Sequence, residues 1–277
     1  MMLVDHHCHL DFPEFANDLD GVVARASGAD VRTLVSISTR IREVHRYRTI
    51  AEAYRDVFFS VGTHPHNAHE ELDVSLSELI ELLDHPKCVA VGEAGLDYHY
   101  DNSPIEAQEQ GFRFHIQAAR ETGLPLEIHA READEHTARV LEEEYEKGPF
   151  PAVLHCFTAG PDLAKRALAL GLYISFSGIV TFKNAQSLRD IAAKVPLSQL
   201  LVETDAPYLA PVPYRGKTNE PSFVSHTADV VAKARGISKE ELARATSENF
   251  FRFYSKARPP EGFEHLCPGH KKNGNGA

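Results

Sequence analysis

The sequence predicts one α/β domain, a single TIM-type (β/α)8 barrel with C-terminal helices. Three observations predict it. Eight short, apolar, β-branched runs recur about one strand–helix unit apart, each followed by room for a helix. No Gly-rich nucleotide-binding turn follows an early run, which argues against the open doubly wound sheet. The 277 residues, 43 % hydrophobic and 25 % charged, suit one globular barrel with a full core.

The strand-like runs are, in order, LVDHHCHL (3–10), TLVSIS (33–38), VFFSVGTHP (57–65), CVAVGEAGLD (88–97), PLEIHA (125–130), AVLHCF (152–157), LYISFSG (172–178) and LLVETDAP (200–207). Helical spacing fills intervening stretches such as SLSELIELLD (75–84), EAQEQGFRFHIQAARETG (106–123), ADEHTARVLEEEYEKG (133–148) and NAQSLRDIAAKV (184–195). Right-handed crossovers then allow the ring to close. Two more helices follow the eighth run, at 221–236 and 238–254. The second opens on Ser238 with Glu241 three residues on, the pattern of a capping box. Residues 1–256 are expected to form the barrel. Residues 257–277, rich in Pro, Gly and polar side chains, are expected to be a disordered tail. Cys267 and His270 in that tail lack the partners a zinc site needs.

No apolar stretch approaches the ~18 residues that span a bilayer. The opening MMLVDHHCHL lacks a basic segment followed by an apolar one, so no secretory leader is expected. Cys8, Cys88, Cys156 and Cys267 are far apart and are expected to be reduced thiols, which fits a cytoplasmic location. The formal charge of −11 argues against a broad electrostatic grip on nucleic acid. It leaves a metallonuclease open, because bound divalent cations would dominate the local charge.

The chemistry concentrates at strand ends. In LVDHHCHLD, strand alternation places Asp5, His7, His9 and Asp11 on one face, with His6 and Cys8 on the other. Alone, His-x-His also fits a polar strand end that only makes hydrogen bonds. Glu93 ends the fourth run, His129 the fifth and Asp205 the eighth, and His155 lies near the end of the sixth. In a closed barrel all these positions converge with His7 and His9 on the C-terminal mouth, where such barrels build their sites. His, Glu and Asp together are ligands for borderline or hard divalent metals. His64, ending the third run, is placed to bond a scissile phosphate or its leaving oxygen, or to bond backbone at the rim.

The motifs DHHCHLD, GTHPH, GEAGLDYHY, IHAREA, HCF and ETDAPYLAPVPYRGKTNEP resemble the successive signatures of the TatD-type metal-dependent deoxyribonucleases of the amidohydrolase superfamily. The resemblance runs from about Val4 to about Tyr254. His6 departs from it, standing where the family usually has a small residue, and alternation turns it away from the ligand face. The resemblance implies two divalent metal ions (Mg, Mn or Zn). His7, His9 and Asp205 would hold the first, His129 and His155 the second, and Glu93 would bridge them. It implies a water activated between the ions, with Asp205 as proton acceptor. Glu203, two residues away on the same strand face, either positions a second water or fills the barrel as a strand-mate. The resemblance also implies a substrate of single-stranded DNA or RNA, trimmed from 3′ to 5′. Arg131, Arg215 and Lys217 are candidate phosphate contacts, and Tyr98 and Tyr208 candidate base-stacking rings. The rival readings are a small-molecule amide, ester or phosphoester hydrolase and a non-enzymatic metal- or partner-binding protein that kept the fold. No membrane and no obligate protein partner are expected.

Overall fold

The computed structural model describes residues 2–266. Its strands are β1 (Leu3–Cys8), β2 (Val31–Ser36), β3 (Val57–Val61), β4 (Cys88–Asp97), β5 (Leu126–Arg131), β6 (Ala152–Leu154), β7 (Tyr173–Phe176) and β8 (Leu200–Val202). They form one parallel sheet in sequence order. Helices α1 (Leu19–Gly28), α2 (Val44–Ala53), α3 (Leu76–Leu83), α4 (Ile105–Thr122), α5 (Asp134–Glu146), α6 (Pro161–Ala169) and α7 (Gln186–Lys194) alternate with the strands. Helices α8 (Val224–Arg235) and α9 (Lys239–Phe253) follow β8. The expected (β/α)8 barrel is what forms.

Closure comes from the segment just beyond β8. His9 N donates to Ala206 O at 2.8 Å, and Asp205 N donates to His7 O at 2.9 Å. The buried Asp5 carboxylate accepts from Thr204 N at 2.9 Å and from Thr204 Oγ1 at 2.5 Å. Asp5 therefore joins first strand to last and is not part of the mouth. The helix boundaries follow local chemistry: Ser75 and Ser238 accept from the backbone N–H of Glu78 and Glu241, at 3.2 and 3.0 Å.

Apolar residues divide into two layers. Leu34, Ile116 and Leu141 belong to the shell between strands and helices. Val4, Val35, Phe58, Val153 and Leu201 pack with Phe250, Phe251 and Tyr254 of the α9 end, so this helix covers the N-terminal end of the barrel. Ser247 Oγ donates to Met2 O at 3.0 Å, and Asn249 Nδ2 donates to Leu200 O at 2.8 Å, fastening it there.

Two expectations fail. The β1 register slips between Asp5 and Cys8, so regular alternation is lost and His6 as well as His7 points into the barrel. The expected tail also begins too early. Ala257 and Leu266 are buried against the layer beneath the barrel, so packing continues to residue 266 despite the Pro/Gly-rich composition. Cys267 and His270 lie outside the described residues.

Phe250 is fully buried and stacked on Tyr254 with ring centroids 4.5 Å apart. Phe250→Ala is expected to lower unfolding free energy by about 3–5 kcal/mol, read as a lower denaturant midpoint, because the cavity forms where helix and barrel meet.

Candidate metal centre

Seven of the residues singled out by sequence meet at the mouth. Glu93 is central. Its Oε1 lies 2.7 Å from His155 Nε2 and 2.9 Å from His129 Nδ1. Its Oε2 lies 3.6 Å from His7 Nε2 and 4.0 Å from His9 Nε2. Asp205 Oδ1 is 3.4 Å from His9 Nε2 and 3.8 Å from His7 Nε2. His64 Nε2 is 3.6 Å from Glu93 Oε1.

The backbone brings these groups together by local exceptions to regular structure. Gly92, with φ of +107°, precedes Glu93, and a Cβ on Gly62 would fall 2.3 Å from Gly92 Cα. Only glycine lets β3 and β4 approach this closely. Asp205 adopts φ of +59°, a left-handed conformation that Asp tolerates better than most residues. Strands β6 and β8 are shorter than the apolar runs imply, which leaves His155 and Asp205 on the turns just past them.

Each imidazole commits its outer nitrogen to a protein acceptor. His7 Nδ1 meets Glu127 Oε2 at 3.2 Å, and His9 Nδ1 meets Ile37 O at 3.2 Å. His129 Nε2 meets Asp97 Oδ2 at 3.1 Å, and His155 Nδ1 meets Glu203 Oε1 at 3.2 Å. The inner nitrogens then face one another and Glu93, the outer-acceptor arrangement that orients metal-binding histidines. The fit to cations rests on two atoms. His7 Nε2 and Glu93 Oε2 are buried without a hydrogen-bond partner among the described residues. Orphaned buried polar atoms are costly, and two that converge inside a ring of nitrogen and carboxylate donors suit a divalent cation. The trios His7/His9/Asp205 and His7/Glu93/His155 each present ligand atoms within 4.8 Å of one another.

His64, Glu93 and His129 form a third such trio. The His64 Nδ1, however, accepts from His66 N at 3.0 Å. Burial holds this imidazole well below its ordinary pKa and so neutral, which places its remaining proton on Nε2. His64 faces the centre as a donor, whereas the other imidazoles offer it a ring nitrogen that a cation could take in place of a proton.

The titration of the cluster shows what it lacks. Burial would raise the Glu93 pKa, but His155, His64 and His129 hold it well below the carboxylate range. Burial and the neighbouring His7 would lower His155, yet Glu93 and Glu203 push it up to about 10. His7 is likewise raised well above its ordinary value: burial opposes the shift, and Glu127 and Glu93 drive it. Without a cation, protons on imidazoles neutralise the carboxylates, so metal and protons compete for the same nitrogens.

Glu203 is fully buried and holds His155 and the backbone N–H of Cys156, the latter at 2.8 Å. It sits beneath the centre and does not line the cavity. Three further residues were not singled out from sequence. Glu127 lies two positions before His129, and Asp97 four positions after Glu93, on the same strand faces; a charge inside an apolar run was the available signal. His66 bonds Asp97 at 2.8 Å and lines the cavity. The cavity above the centre measures about 1190 Å³. Tyr208 and Tyr100 stand exposed on its rim, and the Arg131 guanidinium lies 4.9 Å from the centre of the Tyr100 ring. Arg215 instead stacks on Phe182, and Tyr98 bonds His136.

A parallel barrel with this mouth defines a metal-dependent hydrolase. The chain belongs to the TatD family: the family model described as TatD related DNase matches residues 4–255. It is 44 % identical over 257 residues to the uncharacterized metal-dependent hydrolase YcfH of Escherichia coli K12, covering 92 % of this chain and 96 % of that one. It is 34 % identical over 252 residues to a protein of Escherichia fergusonii named 3′-5′ ssDNA/RNA exonuclease TatD, covering 89 % and 96 %. The crystal structure of YJJV, a TatD homolog from E. coli K12, superposes with a TM-score of 0.84 at 31 % identity, covering 91 % and 98 %. An organophosphorus hydrolase from Deinococcus radiodurans shares the fold at 16 % identity, with a TM-score of 0.64. No helix among the described residues is long and apolar enough to cross a membrane.

The raised imidazoles fix the sign of a pH effect. A histidine whose folded pKa exceeds its unfolded value stabilises the fold below the unfolded pKa and loses that contribution as pH rises through the folded one. Chelator-treated protein is therefore expected to lose thermal stability between pH 6.5 and about 10, the window set by His155. Added manganese or zinc should restore it most at the alkaline end. A melting temperature of the stripped protein that is flat across this window would contradict the charge assignment.

Proposed function

We propose that the protein is a two-metal phosphodiesterase that trims single-stranded DNA, or RNA, from the 3′ end. The observation that carries this reading is the cavity. It exceeds the ~300–1,000 Å³ typical of small-ligand sites. Its floor is the His–Glu–Asp centre, and its rim carries exposed aromatic rings and the Arg131 guanidinium, a surface suited to unstacked bases and phosphate. The relative named as an exonuclease supports the same substrate class.

In this reading His7, His9 and Asp205 would hold one ion and His129 and His155 the other, with Glu93 available to both. The ions would supply Lewis-acid charge to the phosphodiester and lower the pKa of the attacking water. The chain's own groups do the rest. Asp205, 15 % exposed at its side chain, is placed to accept a proton on a carboxylate oxygen. His64 Nε2–H donates to a phosphoryl or leaving oxygen, its tautomer fixed by the His66 N–H. Arg131 binds a phosphate oxygen, and Tyr208 or Tyr100 takes a base face. Glu203 acts through His155 as a positioning residue.

Turnover of end-labelled single-stranded DNA with magnesium, manganese or zinc tests the proposal. The expected product is a ladder shortening one nucleotide at a time from the 3′ end. Cleavage of a small phosphoester or amide with DNA left intact would favour the small-molecule hydrolase instead. Asp205→Asn keeps a coordinating oxygen but not the base, so bound metal should be largely retained while kcat falls by about 10²–10⁴. Wild-type turnover in that variant would remove Asp205 from the mechanism.

A further inference from the structure

The irregularity in β1 puts His6 directly beneath the centre, fully enclosed. Its Nδ1 lies 3.4 Å from Glu127 Oε1 and 3.0 Å from the Tyr254 hydroxyl, which itself donates to Glu127. Its Nε2 lies 3.0 Å from Glu203 Oε2 and 2.6 Å from Ser175 Oγ. Each carboxylate turns its other oxygen upward, Glu127 to His7 Nδ1 and Glu203 to His155 Nδ1, both at 3.2 Å. The His7 and His155 rings stack with centroids 3.7 Å apart and planes 4° from parallel. Five side chains thus close a loop: His7, Glu127, His6, Glu203, His155 and back to His7.

We propose that His6 is a positioning residue that couples the two metal positions, by fixing the two carboxylates that orient His7 and His155. The inference rests on the ligand assignment proposed above. Outer partners of metal ligands typically change metal affinity by about 10–100-fold when removed. A residue that anchors two of them, one for each position, makes occupancy of either position depend on the other. His6 and Glu127 are buried next to the apolar floor of the barrel, where a polar pair needs partners, and the loop supplies them.

Two substitutions separate the halves of the link. His6→Asn keeps an amide near the Nδ1 place and retains the Glu127 contact, whereas His6→Gln reaches the Nε2 place and retains the Glu203 contact. The full chain is titrated with cobalt(II), followed by calorimetry and by visible absorption. His9→Ala and His129→Ala mark which band belongs to which position. His6→Asn should weaken the His155 position about 10–100-fold and shift its band, and His6→Gln should do the same at the His7 position. Affinities within about threefold of wild type at both positions, with unshifted bands, would overturn the proposal. If neither variant folds, Glu127→Gln serves in their place. It should shift the band of the His155 position through His6, and a change confined to the His7 position would overturn the link. Wild-type protein that binds no cobalt, or binding that survives His7→Ala and His155→Ala together, would instead defeat the ligand assignment itself.

Discussion

The shared carboxylate of Glu93 organises the mouth of this barrel. One oxygen faces His129 and His155, the other faces His7 and His9, and the second has no hydrogen-bond donor among the described residues. A buried carboxylate in this state is tolerable only with compensating positive charge. The surroundings are built to deliver that charge at one point: four imidazoles turned inward, each held from behind by a carboxylate or carbonyl. Removing the close contact of Gly62 with Gly92, or the left-handed turn at Asp205, would move the donors without changing their chemistry.

The barrel interior is layered by polarity. The floor is apolar, with Val4, Val35, Phe58, Val153 and Leu201 sealed by α9. The next layer is polar: His6 meets Glu127 and Ser175 at hydrogen-bond distance, and its Nε2 lies 3.0 Å from Glu203 Oε2. The top layer carries the candidate ligands. This order would let a chain with a formal charge of −11 serve the polyanionic substrate proposed above. The attraction needed is local to the metal centre and to Arg131, not spread over the surface.

The strands were legible because apolar, β-branched runs separated by helical spacing admit few topologies, and β4 occupies the same ten residues as its run. The convergence of His7, His9, Glu93, His129, His155 and Asp205 was legible for a related reason: in a parallel barrel every strand end maps to one mouth. What sequence hid was irregularity. Alternation assumes an unbroken ladder, so the slip in β1 reversed the expected direction of His6 and gave Asp5 a closure role. The packed segment around Ala257 and Leu266 was hidden because two buried apolar residues do not register against Pro/Gly-rich composition. Glu127 and Asp97 left a signal, since each shares a strand face with a candidate ligand. Only the fold shows that each one meets a histidine.

The central claim is that the unpartnered Glu93 and His7 atoms mark where cations sit. Anomalous scattering from crystals grown with manganese(II) tests it most directly. The arrangement predicts two peaks within coordination distance of Glu93, one toward His7, His9 and Asp205 and one toward His129 and His155. An absence of any peak at Glu93, with ordered water bridging His7 and Glu93 in its place, would contradict it.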